Sequence, residues 1–157
     1  MLLLGGLLAH APDALAQAAG PPDVRAMQKA SFDLTASYLR TWSMPQAATA
    51  PYVERVYADR VSFYGRTLDR NGLLDEKKRF VRRWPVRRYA VRPGTVRVFC
   101  DGAARSCRLL SVLDWQAASP ARRAAARGSS SFEQRIDFSA ARPAVVHESG
   151  RVLPNRG

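Results

Sequence analysis

Apolar residues Met27, Phe32, Leu34, Tyr38, Leu39 and Trp42 recur at helical spacing with polar residues between them, which predicts an amphipathic helix. Pro45 ends it, because a proline disfavours helical backbone in the residue before it. A second, short helix fits Tyr52, Val53, Val56 and Tyr57, with Pro51 in the first turn, where no N–H is needed. Val61-Ser62-Phe63-Tyr64-Gly65 is too short and too rich in β-formers for another helix and reads as a strand. Asp69 or Asn71 then caps a third helix whose first turn carries Asp75 and Glu76 and whose end carries Arg79, Arg82 and Arg83, the polarity a helix dipole favours. Leu73, Phe80, Val81 and Trp84 form its expected buried edge, and Pro85 stops it. Beyond it the period falls to two, which predicts strands near 87–92, 95–100, 107–116, 130–138 and 143–148. The stretch 117–129, with Pro120 and several arginines, reads as a long exposed loop.

Helices followed by a run of strands predict an α+β fold, with N-terminal helices packed in a strongly curved antiparallel sheet, a cone-like half barrel. The 157 residues, 46% hydrophobic and 24% charged, suit one compact domain and exclude a disordered chain. Cys100 and Cys107 flank a polar Asp-Gly segment that reads as a hairpin loop. Their pairing in a disulfide fixes the hairpin register. Val96, Val98, Leu109, Ser111, Leu113 and Trp115 then share the face of the cysteines, while Arg97, Phe99, Arg108, Leu110, Val112 and Asp114 share the other. Both faces are partly apolar, so the second is expected to be covered by a homodimer partner or another protein.

At the N-terminus, residues 2–9 form an apolar run far short of the roughly 20 residues that span a bilayer. Ala14-Leu15-Ala16 before Gln17 has the small residues a signal peptidase reads, although no basic residue precedes the run. Residues 1–16 are accordingly expected to be a signal peptide, 17–26 a linker and 27–157 the domain. That predicts a periplasmic or secreted protein, where a disulfide persists.

The net charge is +12. Its densest run spans Lys77 to Arg92, and Lys78, Arg79, Arg82 and Arg83 lie on the side of the helix away from Phe80 and Trp84, a basic face. Such a face attracts anionic lipid or polysaccharide. No nucleic-acid motif accompanies it, so nucleic acid is not an expected partner. There is no CxxC pair, glycine-rich phosphate loop or nucleophile motif, so neither a metal nor a cofactor is expected.

The element order resembles the nuclear transport factor 2-like (cystatin-like α+β cone) superfamily. Tyr57-Ala58-Asp59-Arg60-Val61-Ser62-Phe63-Tyr64-Gly65, the run from Asp75 to Trp84-Pro85, and Glu148-Ser149-Gly150-Arg151-Val152-Leu153 resemble exported proteobacterial members, some joined to caspase-like domains. The resemblance implies a concave pocket and, in the enzymes of the superfamily, a pocket carboxylate with a tyrosine acid or a histidine–aspartate pair. Tyr38, Trp42, Tyr64, Trp84, Trp115 and Phe132 are the aromatic residues that could line such a pocket, or simply fill the core. If the protein is an enzyme, Tyr64, Glu148 and His147 are its candidates. His147 and Glu148 are neighbours on one strand, so only one of them can enter the pocket. A buried Glu148 needs a cation, for which Arg87, Arg88 and Arg151 are available. The favoured function is a non-catalytic, exported domain that binds a small apolar ligand or a protein. The alternatives are a small lyase or isomerase, and a basic protein that binds anionic lipid or polysaccharide.

Overall fold

The computed structural model describes residues 23–44 and 48–154. The expected signal peptide and the helix-ending Pro45 lie outside the described residues. The elements are α1 (Val24–Trp42), α2 (Ala50–Val56), β1 (Tyr57–Phe63), β2 (Arg66–Asp69), α3 (Arg70–Arg83), β3 (Val86–Val91), β4 (Arg97–Asp101), β5 (Ser106–Ser119), β6 (Ala124–Asp137) and β7 (Ala144–Ser149). This is the α+β fold expected, three helices against one curved sheet, ordered β2-β1-β7-β6-β5-β3 with β4 also on β5. The sheet is not wholly antiparallel: β1 and β7, second and third from the β2 edge, run parallel.

α1 begins at Val24, inside the segment read as linker, because the Asp23 carboxylate accepts from Arg25 N and caps it. Its buried stripe is Met27, Ser31, Thr35, Tyr38, Leu39 and Trp42, whereas Phe32 is exposed. Two small polar residues take the inward positions because each has a partner: Ser31 Oγ donates to the Met27 carbonyl and Thr35 Oγ1 to Gln134 Oε1. Tyr57, expected on the second helix, is extended and opens β1, where it is wholly buried. Tyr64-Gly65 turns β1 into β2, an antiparallel strand absent from the sequence expectation. Asp69 is the cap of α3, accepting from Gly72 N, so the helix starts at Arg70, and Asp75 and Glu76 fall beyond the first turn expected to carry them. The helix buries Leu73 and Lys77, while Phe80 is partly exposed and Trp84 only half buried, against the expectation that both lie in the core.

The long loop expected at 117–129 does not exist. β5 and β6 pair over fourteen residues each, from Ser106↔Asp137 to Ser119↔Ala124, and a single turn at Pro120–Arg123 joins them. One edge of β5 is shared: β4 pairs with its first half and β3 with its second. Cys100 and Cys107 are direct cross-strand partners joined by a disulfide, with Cα atoms 4.1 Å apart. The inner face of the sheet then carries Leu109, Leu113, Phe132, Ile136 and Val145 against α1.

Candidate functional site

Val146 is an extra residue of β7 opposite the Arg135–Ile136 step of β6, so that Val145 and Glu148 both turn inward, and the Glu148 side chain enters the space between sheet and helices, 2% exposed. Its carboxylate accepts three hydrogen bonds. Tyr38 Oη donates to Oε1 at 2.8 Å, while Tyr57 Oη and Gln134 Nε2 donate to Oε2 at 2.6 and 3.1 Å. Gln134 is in turn held by Thr35, so α1, β1, β6 and β7 all converge on one carboxylate. Burial and the adjacent Glu148 charge push the Tyr38 and Tyr57 phenols well above their ordinary value, which keeps both as donors.

The counter-charge is Lys77, from the inner side of α3, and not one of the three arginines named from the sequence. Arg87 is buried but donates to the carbonyls of Trp42, Met44, Trp84 and Pro85, joining the ends of α1 and α3. Arg88 and Arg151 are exposed. Lys77 Nζ donates to Tyr38 Oη at 3.3 Å, so lysine and carboxylate communicate through one phenol. Four rings surround the same nitrogen, with centroids at 4.4 Å (Trp42), 4.8 Å (Tyr57), 5.0 Å (Tyr38) and 5.1 Å (Phe63). Ring faces carry negative potential and partly replace the water the ammonium has lost. Burial nevertheless pulls the Lys77 ammonium below its ordinary value, with Glu148 offsetting part of that shift.

This group forms one wall of a cavity of about 340 Å³, lined otherwise by Leu39, Trp42, Phe63, Tyr64, Phe80, Tyr89, Leu113, Ser130 and Phe132, with Glu76. The volume suits a small organic molecule. A second cavity of about 300 Å³ shares Tyr64, Phe80, Tyr89 and Ser130 with the first and extends to Trp84, Trp115 and Val152. Tyr64 and Phe80, 52% and 38% exposed, stand between the cavities and solvent.

Of the aromatic residues expected at a pocket, Tyr38, Trp42, Tyr64 and Phe132 therefore line the first cavity and Trp84 and Trp115 the second. Tyr64 and Glu148 border one space, but Tyr38 and Tyr57 are the phenols bonded to the carboxylate. His147 is turned away from both cavities; its ring nitrogens meet Ser62 Oγ and Ser149 Oγ at 3.1 and 3.0 Å. Lys78, Arg79, Arg82 and Arg83 are exposed on the outer side of α3, with Arg79 paired to Glu76. The sequence reading missed Lys77, Tyr57 and Gln134 as site residues. Lys77 had a signal: it lies four residues after Leu73 and three before Phe80, on the apolar edge of the helix.

No protein-family model matches the chain, and no curated protein matches it. Solved structures do. An NTF2-like superfamily protein from Salmonella enterica aligns with a TM-score of 0.72 at 8% identity, over 86% of this chain and 96% of that one. A protein with a cystatin-like fold from Caulobacter vibrioides aligns at 0.66 and 11% identity, over 82% and 91%. A third, from Streptomyces avermitilis, whose name proposes a dehydratase of the NTF2-like family, aligns at 0.69 and 6% identity, over 85% and 100%. The backbone thus coincides with a known architecture, and the chain has the nuclear transport factor 2-like, cystatin-like α+β fold.

Proposed function

We propose that this domain binds a small, largely apolar molecule carrying one hydrogen-bond acceptor, with Lys77 as its polar anchor. The observation that carries this reading is the contrast between the two buried charges. Glu148 is held by three donors and serves as framework, whereas Lys77 lines the cavity and, among the described residues, makes a single side-chain hydrogen bond, to Tyr38. A neutral acceptor such as a carbonyl suits this wall, because the charges of Lys77 and Glu148 already balance and an anion would add an unpaired buried charge. The aromatic and aliphatic remainder of the wall supplies affinity by excluding water. The Cys100–Cys107 bridge supports placing the protein in an oxidising compartment.

A second reading is an eliminating enzyme, favoured by the location of Glu148 and a bonded phenol on the wall of one cavity and by the name of the Streptomyces protein. Here Tyr38, rather than Tyr64, would be the acid. It expects the protein to release water from a β-hydroxy ketone, followed by the ultraviolet absorbance of the enone.

Binding is tested with cinnamyl alcohol and related aromatic alcohols and ketones, read by the fluorescence of the tryptophans in the cavity walls. Saturable, stoichiometric quenching is expected, and Ser130→Phe, which fills the junction between the cavities, should abolish it while leaving the melting curve in place. Absence of saturable binding across the panel would overturn the proposal.

A further inference from the structure

We propose that Lys77 captures an aldehyde or ketone covalently, as a Schiff base, within the cavity; this rests on the ligand-binding reading of the same site. An amine does this chemistry when it is desolvated, reachable by the ligand and able to shed its proton. All three conditions are built from residues already placed. Lys77 is 1% exposed, yet it borders a cavity large enough for a small carbonyl compound. Its nitrogen is enclosed by four rings and, among the described residues, donates to one oxygen, that of Tyr38. That oxygen donates in turn to Glu148 at 2.8 Å. The two hydrogen bonds form a proton path: the ammonium passes a proton to the phenol oxygen while the phenol passes its own to the carboxylate. The result is a neutral amine and a neutral acid, which removes two charges from a low-dielectric interior. Burial already lowers the proton affinity of Lys77 and so favours the transfer.

The amine lone pair then attacks the carbonyl carbon. A C–N bond forms as the C=O π pair moves to oxygen, which takes a proton returned from Glu148 through Tyr38. The resulting carbinolamine loses its hydroxyl as water, the departing oxygen taking a proton from the nitrogen side, and the nitrogen lone pair closes the C=N bond. In balance, one ammonium and one carbonyl give one iminium and one water. No oxidant or reductant takes part, and the adduct is reversed by water. The second cavity, with Trp84 and Trp115, adjoins the first and would hold the remainder of an aromatic or extended aliphatic carbonyl compound.

The chain contains only three lysines, Lys29, Lys77 and Lys78, and the other two are exposed. The full chain is incubated with cinnamaldehyde and sodium cyanoborohydride near neutral pH, and the reduced adducts are located by peptide mapping. Labelling of Lys77 at least roughly tenfold faster than of Lys29 and Lys78, saturable and competed by cinnamyl alcohol, is expected. Lys77→Arg keeps the charge and cannot form the imine, so it should bind the alcohol and lose that adduct; the map on the unaltered protein does not depend on this variant folding. If cinnamyl alcohol binds while Lys77 stays unmodified, covalent capture is overturned and the binding reading stands. If neither compound binds, both fall.

Discussion

Glu148 holds together side chains from four elements, and its replacement is the sharpest test of the site at the level of one residue. Glu148→Gln keeps the shape, but its amide hydrogens meet Tyr38 on one side or Tyr57 and Gln134 on the other, which already donate there. Lys77 also loses its counter-charge. Breaking a buried pair in this way costs about 3–5 kcal/mol, a fall in melting temperature of roughly 6–20 °C for a domain of this size. Tyr64→Phe, which removes a hydroxyl bonded to none of these groups, should leave the melt unchanged, and equal behaviour of the two variants would refute the arrangement. Glu148 itself was legible as a carboxylate that would need a partner if buried. Its partner was concealed because Lys77 sits in a run of charged residues, where composition suggests solvent and only the spacing from Leu73 suggests burial. Tyr57 was concealed differently. It stands at the junction of α2 and β1, where one extended residue redirects the side chain from the helix to the sheet. Gln134 alternates with Phe132 and Ile136, so its inward direction follows from the period of a strand, but the reason for a polar group there appears only with Thr35 opposite.

Among the elements, the strands joined by the disulfide were the most legible, because one covalent pair fixes the register of every neighbour on β4 and β5. The bridged turn has its own support: Asp101 Oδ1 accepts from Ala104 N, and Arg105 takes a left-handed conformation. Cross-linking so short a loop limits the unfolded chain by about 2.5 kcal/mol on the entropy model. Unreduced, denatured protein should therefore show no free thiol, and reduction should lower the melting temperature without dissolving the sheet, since β5 stays paired with β6 throughout its length. Two thiols before reduction, or an unchanged melt after it, would contradict this. The far half of the same ribbon was illegible. Alanine, glycine, serine and arginine between 117 and 131 have the composition of a loop. Tertiary pairing overrides that preference: Trp115 lies opposite Gly128, and a side chain built there would begin 2.9 Å from the indole. The ring covers the glycine's bare backbone and at the same time forms a wall of the second cavity.

At the scale of the whole molecule, all five tyrosines of the chain feel one buried charge, although Tyr64 is 52% exposed. Desolvation raises the phenols of Tyr38, Tyr52, Tyr57, Tyr64 and Tyr89 above the ordinary value, and the Glu148 carboxylate raises each further. A phenol whose folded value is raised contributes stability that is fully present below about pH 10, its value in the unfolded chain, and that is lost as the pH climbs toward the folded value. Lys77 acts in the opposite sense. Its folded value is lowered, so the unfolded chain binds more protons in the window below the ordinary lysine value, and the penalty of burying the ammonium is relieved as the pH rises through that window. The two effects together predict a fold that tolerates mild alkali and then fails abruptly. Tyrosinate absorbance followed against pH should show at most the half-exposed Tyr64 before one cooperative step in which the phenols buried around Glu148 titrate, coincident with the loss of near-ultraviolet circular dichroism. A separate rise of a second tyrosine near pH 10, with the dichroism intact, would mean that a phenol besides Tyr64 faces water and that the shared burial around Glu148 is wrong.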